Sequence, residues 1–197
     1  MTKAQTVEPV TLLRDIIQQG HANDDADANA AALATADSAS GRPSVRTVYV
    51  QIVEQDIVFF VNARSGKGRQ IEWNPYVGLC FFWRYMRRQV IVEGRIELLD
   101  PAAADACWRD RPRESRLAAH ASRQHAHTGD ERAMKARLHE EKQRFNFSKV
   151  VRPEHWLGYK LLPEHFEFWE TGWGRLSSRR SFERQPDGTW VSLRQDP

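Results

Sequence analysis

The chain has 197 residues, of which 41% are hydrophobic and 28% charged, enough for one domain with a sizeable core and too apolar for intrinsic disorder. Its 29 basic and 26 acidic side chains give a formal net charge of +3, and the arginines form no block of like charge, which argues against a nucleic-acid partner. The two cysteines, Cys80 and Cys107, lack CxxC spacing, the opening MTKAQTVEPVTLLRD has no continuous apolar region, and no run is long enough to cross a bilayer; a cytoplasmic protein without disulfides or membrane contact is expected.

Val10, Leu13, Ile16 and Ile17 recur at helical spacing and predict an N-terminal helix, followed by an Ala- and Asp-rich linker to Asn29. AAALATAD (Ala30 to Asp37) leads into a turn at SASGRP. VRTVYVQIV (Val45 to Val53) alternates and is β-branched, and IVFFVN (Ile57 to Asn62) follows a short polar turn, so the two predict a hairpin. NARSGKGRQIEWNP, from Asn62 to Pro75, reads as a Gly-rich turn entering a helix, with Lys67 and Arg69 where acidic residues would suit the helix dipole better. On these residues alone it is either an anion cradle or a turn with a solvated basic face, because P-loop spacing is absent.

YVGLCFFW (Tyr76 to Trp83) and RQVIVEGRIELL (Arg88 to Leu99) read as strands. Asp100 and Pro101 then supply an N-cap and a first-turn proline for AAADACWRD. Two more helices are predicted over about Glu114 to Ser122 and Asp130 to Phe145. HWLGYKLLP, HFEFWE, RRSFERQ and TWVSLRQ read as four strands, the last two bracketing a PDG turn. Strands, then helices, then strands predict an α+β fold, an antiparallel barrel with helices outside it. Residues 1–29 form the helix and linker and 30–197 the single main domain.

His120, His125 and His127 have no carboxylate or cysteine partner at ligand spacing, so no metal site is expected. No GxSxG surrounds a serine and no GxGxxG follows a strand, which leaves hydrolase and Rossmann chemistry unsupported. What remains is a series of cationic and polar groups at strand and helix ends: Arg46, Lys67, Gln89, then Arg111, Arg113 and Ser115 in RPRES, Ser122 and Gln124 in SRQ, and Arg175 and Arg179 around RLSSR.

In order, GRPSVRTV, FFVNARSGKGRQIEWNP, FFWRYMRRQVIVEGRIELL, WRDRPRES, ASRQ and FEFWETGWGRLSSR resemble the pyridoxine/pyridoxamine 5′-phosphate oxidase family. The resemblance runs from about Ala30 to the C-terminus and implies a homodimeric, antiparallel split β-barrel with peripheral helices and FMN at the dimer interface. Arg46, Ser65, Gly66 and Lys67 then fall in the FMN phosphate site, with Thr47, Val48, Gln51, Phe60 and Val61 on the same cofactor side. Gln89, Gln124 and His125 match flavin-contacting positions, and Trp169 and Arg179 match positions contributed from the other side of the site. Arg111 and Ser115 match residues that grip the substrate phosphate, and Arg175 matches the first member of an Arg-x-His pair over the substrate ring.

The departures gather on the substrate side: Gln51 stands where a Lys is expected, Cys107 where a Tyr is, and Ser177 where the His is. Phe60 and Val61 replace a Tyr-Thr pair. A neutral Gln in place of Lys removes a charge-assisted bond to phosphate, a contribution of about 1.5 to 3 kcal/mol. The implied activity is hydride transfer from a small anionic heterocycle to flavin N5, with reoxidation by O2. ALATAD before GRPS and ACWRDRP are similar to the phenazine-biosynthesis branch, which aromatises a reduced tricyclic precursor, whereas RPRES keeps the vitamin B6 pattern. A flavin-binding protein without catalysis is the third reading.

Overall fold

The computed structural model describes residues 8–122, 131–172 and 177–195. In chain order the elements are α1 (Pro9–Ala22), β1 (Ala30–Ala36), β2 (Pro43–Val53), β3 (Asp56–Asn62), α2 (Gly66–Trp73), β4 (Tyr76–Trp83), β5 (Arg88–Leu98), α3 (Pro101–Asp110), α4 (Arg113–Ala121), α5 (Glu131–Arg144), β6 (Trp156–Thr171), β7 (Ser177–Arg184) and β8 (Trp190–Gln195). Neighbouring strands run β3-β2-β1-β4-β5-β6, and β3 pairs back onto β6. Six antiparallel strands therefore close into a barrel, with β7 and β8 extending the sheet beyond β6. Closure removes the free edges that an open sheet would expose.

Alternation decides which side chains fill the barrel. Leu33, Val50, Phe59, Leu79, Phe81, Val92 and Phe166 are fully buried in its core, while their sequence neighbours point outward. Helix α1 adds Val10, Leu13 and Ile17 to the same core, and the Trp83 indole N–H donates to the Ala28 carbonyl at 2.8 Å, tying down the chain that links α1 to β1. A second cluster, Trp108, Leu117, Phe145, Val150 and Trp156, lies under α3, α4 and α5 and packs on Phe60. It seats the helices on the outer face of the barrel beside β3.

One element goes beyond the sequence reading and another differs from it. The alanine-rich AAALATAD is the strand β1, paired with both β2 and β4; alanine has little intrinsic strand preference, so its place between two neighbours decides the conformation. HWLGYKLLP and HFEFWE are one strand, β6, rather than two. Pro163 is tolerated inside it because one edge of β6 pairs with β3 up to Leu161 and with β7 only from His165, so no ladder bond is required on that edge at the proline. Across from it, the register between β5 and β6 shifts between Glu93 and Gly94, with Glu164 as the extra residue on β6, and a Cβ on Gly94 would collide with the Leu162 carbonyl.

Candidate functional site

A cleft of about 460 Å³ opens between the outer face of β2 and β3 and helix α4. Thr47, Val48, Tyr49 and Gln51 come to it from β2, Phe60 and Asn62 from β3, Lys67 from α2, and Arg111, Ser115 and Ser122 from α4 and its flanks. His155 and Trp156 line it at the start of β6. Residues far apart in sequence thus meet because the closed barrel brings β2, β3 and the first half of β6 side by side.

The turn before α2 builds one part of this cleft. Ser65 is buried and caps the helix: its hydroxyl accepts from the Gly68 N–H at 3.1 Å and donates to the Asn62 carbonyl at 2.6 Å. Its proton is committed to that bond, so Ser65 shapes the loop. No acidic residue sits in the first turn, which leaves the positive end of the helix uncompensated by its own sequence. Burial, and secondarily the charge of Arg46, holds the Lys67 ammonium below the ordinary lysine range. Arg69, by contrast, is exposed and donates to the Arg64 carbonyl at 3.0 Å.

Arg46 is fixed from beneath by a network that sequence reasoning missed. Its Nη1 donates to Thr35 Oγ1 at 2.6 Å and to the Leu33 carbonyl at 3.3 Å, and its Nη2 reaches Gln70 Oε1 at 3.4 Å. Thr35 is itself buried and donates to Gln70 Oε1 at 2.6 Å. All these acceptors are neutral, so they orient the guanidinium without cancelling its charge, and burial lowers its pKa.

Arg111 follows α3, and no carboxylate holds it among the described residues. Its guanidinium carbon stands 5.2 Å from the Trp156 ring centroid and 5.9 Å from that of Trp108, within reach of cation–π attraction. Its Nε is buried with no hydrogen-bond partner, and burial lowers its pKa. Trp156 in turn stacks on Phe60 with centroids 4.0 Å apart and planes at 7°. These two tryptophans were visible in the sequence only as apolar positions; the aromatic cradle needs the fold to assemble it.

Not every expected residue reaches this cleft. Val61 turns its side chain into the barrel core. Gly66 is exposed with open space where a Cβ would stand. Cys107 is half-buried on α3, outside the cleft lining, and burial and the nearby Asp110 push its thiol up. Gln89, Trp169 and Arg179 form a row across neighbouring strands, Gln89 opposite Trp169 and Trp169 opposite Arg179. Gln89 and Trp169 line a separate recess against α1. Arg179 Nε lies 3.6 Å from a Glu167 carboxylate oxygen, an ion pair too long for a hydrogen bond, and is buried without another partner. Ser177 opens β7, half-buried, opposite Thr171. Gln124, His125 and Arg175 lie outside the described residues.

Residues 21–145 match the family model described as pyridoxamine 5′-phosphate oxidase, and residues 156–197 match the pyridoxine 5′-phosphate oxidase C-terminal dimerisation region. The chain belongs to the pyridoxamine 5′-phosphate oxidase family. Curated members of the family include the pyridoxine/pyridoxamine 5′-phosphate oxidase of Anaeromyxobacter dehalogenans, 44% identical over 95% of each chain. That of Maricaulis maris is 41% identical over 96% of this chain and 86% of its own. Among solved structures, PhzG from Burkholderia lata 383, in complex with tetrahydrophenazine-1-carboxylic acid, superposes with a TM-score of 0.88 at 27% identity, covering 96% of this chain and 93% of its own. The family's split-barrel architecture accounts for the closed six-stranded ring, and its dimerisation region coincides here with β6, β7 and β8, the elements that carry Trp169 and Arg179. Among the described residues no helix is long and apolar enough to cross a membrane.

Proposed function

We propose that this family member is a homodimeric FMN-dependent oxidase of a small anionic heterocycle, with vitamin B6 5′-phosphates as the first candidates. The observation that carries the proposal is the clustering of Lys67, Arg111 and Ser115 in one cleft, with Arg46 alongside Lys67. Both Lys67 and Arg46 have lowered pKa values through burial, so a dianionic phosphate beside them relieves a cost already present in the fold. The amides at the start of α2 add donors to the same anion. The residues therefore fit the phosphate of FMN.

The row Gln89, Trp169 and Arg179 offers an amide, a flat ring and a cation whose Nε lacks a hydrogen bond, a donor set suited to the edge and face of a flavin ring. Trp156 and Trp169 sit at opposite ends of β6, on the order of 40 Å apart along an extended strand. The row that completes one cleft is accordingly supplied by a second copy of the chain, and a two-fold interface gives two equal sites.

FMN held by Lys67, Arg46 and the row would supply a hydride acceptor and a route for electrons to O2. The chain's own residues bind and orient the substrate. Arg111 offers a planar fork to the substrate anion, with the Ser115 hydroxyl beside it. The stacked Phe60 and Trp156 rings form an apolar wall that keeps water from that anion. By the family resemblance, Arg175 and Ser177 are assigned to orienting the ring of the substrate. The Cys107 thiol, pushed up, stays protonated and adds no charge.

Gln51, neutral in the cleft lining, leaves the anion with one cation fewer than the vitamin B6 pattern. Together with the likeness to PhzG, this supports a second reading, a carboxylated reduced tricyclic substrate. The test is the absorbance spectrum of the purified protein, followed anaerobically by addition of pyridoxamine or pyridoxine 5′-phosphate. Bleaching of a flavin band is the expected result. A flavin that stays yellow with both and bleaches with a dihydro- or tetrahydrophenazine carboxylate selects the second reading, and a protein that binds no flavin overturns both.

A further inference from the structure

Ser115 and Arg116 are consecutive on α4, and the helix turns them to different faces: Ser115 lines the cleft, whereas Arg116 lines another recess, of about 670 Å³, between α3, α4 and the chain from Lys149 to Arg152. Four cations surround this recess, Arg109, Arg116, Lys149 and Arg152, against a single acid, Asp105. Asp105 is already engaged by Arg152 Nε at 2.5 Å, and Arg152 Nη1 donates to the Trp156 carbonyl at 3.1 Å. Those two groups are structural. Among the described residues Arg109, Arg116 and Lys149 enter no ion pair, and Arg116 Nε is buried with no hydrogen-bond partner.

Three uncompensated cations from three separate segments, one of them with an orphaned buried donor, form an unusual grouping, because buried donors are ordinarily satisfied. Trp108 lies at its floor, and its indole N–H is already donated to the Val150 carbonyl at 2.8 Å, so it presents no polar group to a ligand. A size of this order suits a small molecule. We propose that this recess is a second anion site, separate from the cleft, that takes a phosphate-class dianion on Arg109, Arg116 and Lys149. Phosphate has acceptor oxygens enough for several cations at once, and arginine presents a fork to it. The ligand is free phosphate or the phosphoryl group of an aromatic ester whose ring lies toward Trp108.

The test is calorimetric titration of inorganic phosphate, and separately of phenyl phosphate, into flavin-loaded protein in a low-salt chloride buffer. It is repeated with R111Q, which weakens the cleft, and with the double variant R109Q/K149Q. Both side chains of the double variant are exposed, and an unchanged melting temperature and flavin content certify its fold. The expected result is phosphate binding with a Kd of about 1 mM or tighter that survives R111Q. It weakens about tenfold or more in R109Q/K149Q. Tighter binding of phenyl phosphate than of phosphate in the R111Q protein identifies the aromatic ester as the better ligand, and equal binding identifies free phosphate. Binding that disappears with R111Q, or that R109Q/K149Q leaves unchanged, overturns the proposal.

Discussion

Arg111 lies against the indole of Trp156, its guanidinium carbon 5.2 Å from the ring centroid, and the same indole stacks on Phe60. An arginine held by rings keeps its full charge available to a ligand, because no carboxylate competes for it. Lysine at this position would keep the charge and lose both the fork and the ring contact. R111K is therefore expected to raise KM for the anionic substrate roughly ten- to hundredfold, a loss of one charge-assisted bond. Flavin content should be unchanged. Steady-state kinetics beside a flavin absorbance ratio check this, and an R111K enzyme with native KM would show that the substrate anion binds elsewhere.

The turn at Gly68 makes a sharper structural prediction. A Cβ there would meet the Ala63 carbonyl, and the Asn62 carbonyl at 2.6 Å, and the loop that presents Lys67 would have to open. G68A is expected to lose roughly 1 to 3 kcal/mol of stability together with much of its flavin. Gly66, two residues earlier, has open space within 4 Å of where a Cβ would stand, so G66A should be neutral or stabilising by up to about 1 kcal/mol. Thermal melts and flavin content of the two variants measure the contrast.

Lys67 sets a pH dependence whose sign depends on the ligand. Burial and Arg46 lower its pKa in the folded chain, so between that lowered value and the ordinary 10.5 the unfolded chain binds more protons than the folded one. Stability of the flavin-free protein gains from this group as pH rises through that window, and loses it as pH falls back. A phosphate beside the ammonium raises the pKa and reverses the slope. Melting temperatures of flavin-free and flavin-loaded protein, each measured as the difference from K67M, should therefore slope in opposite directions in the alkaline range. Parallel slopes would mean that the bound phosphate does not sense Lys67.

Much of this architecture was legible from local chemistry. The β2–β3 hairpin follows from alternation, and Asp100 accepts from the Ala102 and Ala103 amides as its place before Pro101 predicts. Non-local pairing was not legible. Alanines carry no strand signal at β1, Pro163 reads as a break in β6, and closure of β3 on β6 joins segments about a hundred residues apart. The same division applies to the site. Lys67, Arg111 and Ser115 stand out as charged or polar groups in short motifs, whereas Thr35, Gln70 and Trp156, which orient Arg46 and Arg111, look like ordinary strand and helix residues until the barrel brings them together.

The row of Gln89, Trp169 and Arg179 and the cleft around Lys67 are parts of one protomer that lie at opposite ends of β6. If each row serves the partner's cleft, two defective chains can repair each other. A chain carrying R46Q/K67Q retains a sound row, and a chain carrying W169A/R179Q retains a sound cleft. In a mixed dimer the sound row of the first meets the sound cleft of the second, and the other site has both defects. Random assortment makes about half of all dimers mixed, each with one intact site, so about a quarter of the native flavin binding should return after the two variants are unfolded and refolded together. Each variant refolded alone should bind little. Recovery no greater than the average of the separate variants would show that the row and the cleft do not share a flavin across the two-fold axis.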